Sequence, residues 1–510
     1  MEGYNLLDLE KWEEKALTLA EEFGLKCFQQ EFEVCDYEDM LSLLPYTGMP
    51  SHYPHWSYGK SYERQKTLYR YGLVGLPYEM VINSNPAVAY LMRENSLLLQ
   101  ALTMAHVFGH NDFFKNNSIF KHTRPELVVE RFKTHADRVR KYIEDPSIGL
   151  EKVEAVLDAA HALSLQCHRN LDIPKLSEKE QMEAIKGEFF GKEDDEERMG
   201  LKKRKEFREE DFKKAMAKRP LKPDEDILLF IRDHNHESAE WEKDILTIVH
   251  EEAQYFIPQI ETKIMNEGWA SFWHKKIVEV LRERFPEEFT QGMFMEFMVR
   301  HNQVIAPVPG GLNPYHLGIN IWADIEHRYD EALAGKICED HASEYEKNGR
   351  ASDLGKKTGR DKVFEVREAF RDSSFIQNFL NETLMRKLDF FEHLKVRDGS
   401  STYHVVTHVA DTEGWKVIRN TLARSVGMGN IPVIKVTDSN YDDDRILLLE
   451  HDYDGRDLRL VEYAERTIAH VQKLWRRKVF LRTRVHQREG IVRSIECFFD
   501  NDKKFKYRPL

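Results

Sequence analysis

The chain has 510 residues, a formal net charge of −13 and five cysteines. That length exceeds what one hydrophobic core usually organises, so two domains are expected, and the acidic balance excludes a generic nucleic-acid or anionic-membrane binder, which needs a basic face for phosphates. Cys27, Cys35, Cys167, Cys338 and Cys497 are odd in number and form no Cys-x-x-Cys, which fits a reducing cytosol and no disulfide framework.

The N-terminal stretch lacks the basic and apolar regions of a secretory signal, and no apolar run is long enough to cross a bilayer, so a cytoplasmic protein without a membrane span is expected. Residues 8–24 place Leu9, Trp12, Ala16, Leu19 and Phe23 at helical intervals and end at Gly24, which predicts a packing helix. Residues 48–60 are rich in aromatics and turn formers, as in a loop packed over the core or walling a ligand cleft. His52 and His55 within it are ligand-type residues that are not assigned to a site. Residues 76–83 read as a short strand, after which Asn85-Pro86 is expected to cap a long, largely buried helix that runs through Ala89, Leu91, Leu98, Leu99 and Leu102 to Ala105.

Further helices are expected over 125–142 and 150–168. Residues 176–222 are dominated by charge, acidic at 193–197 and basic at 202–205, which predicts a solvated helical excursion. From Trp241 to His274 the pattern reads as two helices around Pro258, and helix continues, with a turn-rich interruption at 307–318, to about Leu394. Beyond it the period changes: strands at 403–409, 432–436, 445–450 and 491–498 and helices at 413–426 and 460–477 predict a compact α+β module. The expected architecture is thus a mainly α N-terminal domain, 1–397, followed by a smaller α+β domain, 398–510.

The densest chemistry is Ala105-His106-Val107-Phe108-Gly109-His110. Residues four apart on a helix have Cβ atoms about 5–6 Å apart, so two imidazoles there can reach one cation through bonds of about 2.0–2.1 Å. The second dense stretch, Asn266-Glu267-Gly268-Trp269 to His274, puts a carboxylate among tryptophans, where it needs a cation or a donor, and Gly268 allows a neighbouring helix to come close. His106, His110 and Glu267 together form the His2Glu ligand set of thermolysin-like metallopeptidases, a set that suits a divalent metal, zinc by ligand type. Val107 stands where His-Glu-x-x-His enzymes keep their general base, so Glu251, Asp112 and His250 are the candidates for proton transfer, and acyl transfer to an amine is an alternative to hydrolysis. His274, His316 and Asn313 are additional candidates for the same cavity. The competing reading is that the two histidines are core residues satisfied by Glu267 or by backbone carbonyls. A dinuclear site using His250, Glu251 and His274 lacks the repeated Glu-x-x-His of helical di-iron proteins.

Four motifs, His55-Trp56-Ser57-Tyr58-Gly59-Lys60, His106 to Asn117, Asn266 to His274 and Gly311-Leu312-Asn313-Pro314-Tyr315-His316, resemble the SpoVR family, stage V sporulation protein R, and the similarity covers essentially the whole chain. The resemblance implies a bacterial cytoplasmic protein linked to assembly of the spore cortex, a peptidoglycan layer. It also implies relatives in bacteria that do not sporulate, often encoded beside a serine protein kinase and another operon partner. It transfers no residue roles, so the metal site stands on the residues alone. The expected substrate is a peptidoglycan precursor or a peptide. The alternative is a non-enzymatic scaffold or regulator that works with the kinase through the C-terminal module.

Overall fold

The computed structural model describes residues 3–71, 79–169, 174–190, 211–213, 215–216, 218–308, 311–336, 354–389, 392–398, 401–408, 414–487 and 491–510. The charged runs at 193–197 and 202–205, Cys338, residues 76–78 of the expected strand and Pro309-Gly310 lie outside them. The architecture is mainly α with a smaller α+β part. It forms two compact units, each made of two stretches: residues 1–136 with 256–430, and residues 137–255 with 431–510. The expected boundary near 397 falls inside the second stretch of the first unit.

In the first unit, the helix Leu6–Glu22 begins with a capping box in which the Asn5 side chain accepts from Leu7 and Asp8. Strands β1 (Gln30–Cys35), β2 (Glu79–Ile82) and β3 (Ala87–Met92) form a small sheet of order β1-β3-β2, with β1 parallel and β2 antiparallel to β3. This corrects the expectation of a helix from Asn85-Pro86: residues 87–92 are the central strand, and the helix starts ten residues later, at Leu97, capped by Ser96 Oγ accepting from the Leu99 amide. The cause is that a strand paired on both sides and mostly buried reads as continuous apolar sequence, which periodicity cannot separate from a buried helix.

The helix Leu97–Asn116 is buried at every position from Leu98 to Phe114. It packs against the helices Leu6–Glu22 and Lys263–Arg284, and the latter packs in turn against Pro314–Leu333. Fully buried Phe108, Phe113, Trp269, Trp273, Trp322 and Phe375 fill the space between them, each worth roughly 1.5–3 kcal/mol on burial. Two of the contacts that admit only glycine lie between these helices. A Cβ on Gly109 would lie 2.6 Å from Ala270 Cα, and a Cβ on Gly268 would overlap the backbone of Gly318, so the close approach expected at Gly268 is present. The helix Glu240–Glu261 runs through Pro258, and the break falls at Thr262, whose hydroxyl donates to the Pro258 carbonyl at 2.7 Å. Proline therefore does not divide this helix where two helices were expected.

Residues 48–60 also differ from a long loop, because the helix Trp56–Arg70 begins inside them. His52 lies against Tyr46, Tyr53 and Tyr58 and reaches Phe132, and Tyr53 is buried while Trp56 is 51% exposed. A hairpin of β4 (Glu392–Asp398) and β5 (Ser401–His408) and the helix Gly414–Ser425 follow.

The second unit is built on a five-stranded sheet of order β10-β9-β8-β7-β6, comprising β6 (Ile434–Tyr441), β7 (Ile446–His451), β8 (Val479–His486), β9 (Val492–Phe499) and β10 (Phe505–Pro509). Only β7 and β8 are parallel, joined by the helix Glu465–Trp475, because parallel neighbours need a crossover. Strands β8 and β10 were not anticipated from the sequence. Residues 137–255 join this unit through an antiparallel bridge between Asp224 and Val436 and through Gln166, which bonds Pro432 and Ile434.

Gly109→Ala and Gly268→Ala should each destabilise the protein by about 1–3 kcal/mol, since added carbons would press on backbone that cannot move aside. Chemical denaturation checks this, and midpoints equal to that of the unsubstituted protein would refute the packing argument.

Candidate metal centre

Three helices and one strand of the first unit converge on a polar cluster. His106 and His110 come from Leu97–Asn116, Glu267 and His274 from Lys263–Arg284, His301 from Gln291–Ile305, and Glu79 from the start of β2. His106 Nε2 lies 3.7 Å from Glu79 Oε1 and 3.9 Å from Glu267 Oε2, and His110 Nε2 lies 3.5 Å from the same Glu267 oxygen. The structure thus brings together the three sequence-predicted ligands and adds Glu79. Ligand atoms of Glu79, His106 and His110 all fall within 4.8 Å of one another.

The far side of each imidazole is already engaged. His110 Nδ1 donates to Asn266 Oδ1 at 2.9 Å, which leaves its Nε2 lone pair facing Glu267. His106 Nδ1 is 2.8 Å from His274 Nδ1, and His274 Nε2 is 2.8 Å from His301 Nδ1. Two assignments satisfy the three rings: in one, His106 donates to His274 and His274 to His301, leaving His106 Nε2 free to bind an ion; in the other the chain runs in the opposite sense and His106 Nε2–H points to the carboxylates. Partners that fix the tautomer in the first way are the usual outer support of metal-bound histidines.

The two carboxyl groups are pushed in opposite directions. Burial lifts Glu79 above the usual carboxylate range; His106 draws it partly back, and Glu267 pushes it up further. Burial also works against charged Glu267, yet the His106 and His110 imidazoles and the Tyr315 hydroxyl outweigh it and hold this carboxyl below its ordinary value. Divergence of this kind separates an ionised ligand from a proton acceptor. Burial, with His106 adding, lowers His110 to about 4, and burial with Lys275 lowers His301 to about 4. Burial and the neighbouring histidines drive His274 well below its ordinary value. A cavity of about 520 Å³ opens on the cluster, lined by Glu79, His106, Glu267, His274, His301 and Tyr315 among others.

The remaining sequence candidates lie in different settings. Asn313 also lines this cavity, where its side chain caps the helix Pro314–Leu333. His316 Nδ1 donates to the Ile305 carbonyl at 2.8 Å. Asp112 accepts two 2.7 Å bonds from Arg367 Nη1, one of 2.9 Å from Trp269 Nε1 and one of 2.7 Å from the Lys26 amide, so its acceptor capacity is filled by structural ties. His250 belongs to the second unit, where its Nε2 is 2.7 Å from Asp226 Oδ2, and Glu251 follows it on the same helix. Glu79, His301 and Asn266 were missed. Glu79 opens a strand far from either dense motif and His301 stands alone in an amphipathic helix, so neither gave a spacing signal; Asn266 adjoins Glu267 and was quoted only as part of that run.

The family model described as SpoVR like protein matches residues 3–431, and that of the SpoVR-like C-terminal domain matches residues 432–486. The chain belongs to the SpoVR family. The chain is also similar to the uncharacterized protein YcgB of Escherichia coli (strain K12), 33% identical over 471 residues, covering 90% of this chain and 88% of the relative. No solved structure matches the chain. No helix among the described residues is long and apolar enough to cross a membrane.

His110, His274 and His301 set a pH dependence. Their folded pKa values lie below the ordinary value near 6.5, so they lend stability that is complete above that pH and lost as pH falls through 6.5 toward 4, because the unfolded chain takes up protons first. In chelator-treated protein, stability to denaturant should fall between pH 7.5 and pH 5, and His301→Gln should lessen that fall by about 1–2 kcal/mol. An identical fall in both proteins would contradict the assignment of His301 as a buried neutral base.

Proposed function

We propose that the protein is a metal-dependent enzyme acting on an amide bond, with His106, His110 and Glu267 holding a divalent ion, zinc by ligand type. The observation that carries this reading is Glu267 Oε2: it is buried without a hydrogen-bond partner, 3.5 and 3.9 Å from two imidazole nitrogens. A hydrogen bond would draw such atoms to about 2.7–3.2 Å, whereas two ligands of one tetrahedral ion at about 2.0–2.1 Å lie roughly 3.4 Å apart. The separations fit a shared ion better than mutual hydrogen bonding.

An ion held there polarises a carbonyl oxygen and lowers the pKa of water. Glu79 supplies what Val107 cannot: a half-buried carboxylate beside His106 whose raised pKa suits it to accept a proton from the attacking water and pass it to the leaving amine. This favours hydrolysis over acyl transfer. Tyr315 orients Glu267 through its hydroxyl. We extend the reading, from the process named by the family, to a peptide or peptidoglycan precursor handled in the cytoplasm during formation of the spore cortex or its counterpart in other bacteria. The serine kinase and the other operon-encoded protein are the partners expected to regulate it.

Metal analysis of the purified protein should find about one zinc-binding site, and zinc at a hundredfold excess over its Kd should stabilise the fold by about 2.7 kcal/mol. The double variant His106→Ala/His110→Ala should lose both effects, whereas Glu79→Gln should keep the ion. A wild type that neither retains zinc nor gains stability from it would sink the proposal.

A further inference from the structure

The cavity beside the cluster carries two cations without partners of their own. Lys263 and Arg300 line it, and neither makes a hydrogen bond or ion pair among the described residues. Lys263 is exposed and Arg300 half-buried, in contrast to Lys276, which meets Glu326 at 2.6 Å, and Lys362, which meets Glu365 at 2.8 Å. Lys263 stands one turn before Glu267 and shares its helix face. Arg300 directly precedes His301, and Val304, one turn further on, also lines the cavity.

The acidic groups on the cavity wall are Glu79 and Glu267. Were the cluster to remain free of metal, these two carboxylates would offset the two cations across the cavity. A divalent ion between the histidines and Glu267 takes up that negative charge, and Lys263 and Arg300 become the uncompensated charges facing the space. The rest of the wall combines apolar Leu102, Val304, Val308 and Leu312 with uncharged polar groups such as Thr103, Asn313 and Tyr315, so Lys263 and Arg300 are its Lys/Arg cations.

Resting on the metal reading above, we infer that the cavity takes an anionic substrate, whose carboxylate or phosphate engages Lys263 and Arg300 while its apolar portion lies on Leu102, Val304 and Leu312. Charge-assisted hydrogen bonds from a guanidinium and an ammonium are the strong way to hold such a group. The anion then sets which bond of the substrate is presented to Glu79. A carboxylate would mark the end of a peptide or an acylated amino acid, and a phosphate would mark an activated or phosphorylated precursor.

The test uses the full chain loaded with zinc, and the variant Lys263→Gln/Arg300→Gln, which keeps every proposed ligand. Calorimetric titrations with inorganic phosphate, N-acetylglycine and the neutral N-acetylglycine amide read the anion, and zinc stoichiometry measured on the same samples reads the metal site separately. At least one anionic probe should bind the wild type and bind the double variant at least about tenfold more weakly, with zinc content unchanged in both. Binding by phosphate assigns the phosphate class, and binding by N-acetylglycine but not by its amide assigns the carboxylate class. Equal affinities in the two proteins, or no anion binding by zinc-loaded wild type, would overturn the subsite while leaving the metal reading intact. Absence of zinc from the wild type would instead remove the reading on which the subsite rests.

Discussion

Where the helix of His106 and His110 crosses the helix of Glu267, backbone meets backbone: Gly109 lies against Ala270, and two residues before Ala270, on another face of that helix, Gly268 lies against Gly318 of a third helix. Helix axes ordinarily stay about 8–10 Å apart because side chains hold them there. Removing the Cβ at these points lets three helices close in, and the residues beside the glycines inherit the proximity. His110 follows Gly109 and Glu267 precedes Gly268, so the short distances within the cluster result from helix packing and not from long reaching side chains. Sites carried on rigid helices hold their geometry better than sites on loops.

The same packing imposes a strict accounting on polar groups. The helix Leu97–Asn116 has almost no solvent face, yet it buries His106, His110, Asn111 and Asp112 in succession. Each is given a directed partner. Asn111 bonds the chain at Phe28 and Gln30, Asp112 takes Arg367, Trp269 and the Lys26 amide, and the histidines turn their Nδ1 atoms to Asn266 and His274. Leaving a buried charge without its partner costs about 3–5 kcal/mol, and Glu267 Oε2 is the only carboxylate oxygen so left among the described residues, the other unpartnered atoms nearby belonging to the neutral side chains of Thr103, Ser271 and Trp273.

Much of this was legible in the sequence, and the failures have physical causes. The His-x3-His pair, the long buried helix and the close approach at Gly268 could be read because helical spacing and glycine have local signatures. The α+β character of the C-terminal region was legible from its change of period. Strand β3 was not, since a central strand and a buried helix offer the same run of apolar residues. Residues 137–255 could not be linked to β6 in advance, because the Asp224–Val436 bridge depends on backbone atoms that carry no sequence mark. For the same reason Glu79 stayed hidden: its importance lies in which helix its strand faces.

The buried helix also bears on how the chain acquires its shape. Its two histidines meet residues 156 and 168 positions further along, in Asn266 and His274. During synthesis a stretch of apolar sequence with two imidazoles therefore waits, unshielded, while more than a hundred residues of the second unit emerge before the helix that covers it. Contacts of such separation are slow to form, because loop closure must precede the reward. The cluster is thus complete only in a nearly finished first unit, and the exposed interval before it is a natural point for assistance by chaperones.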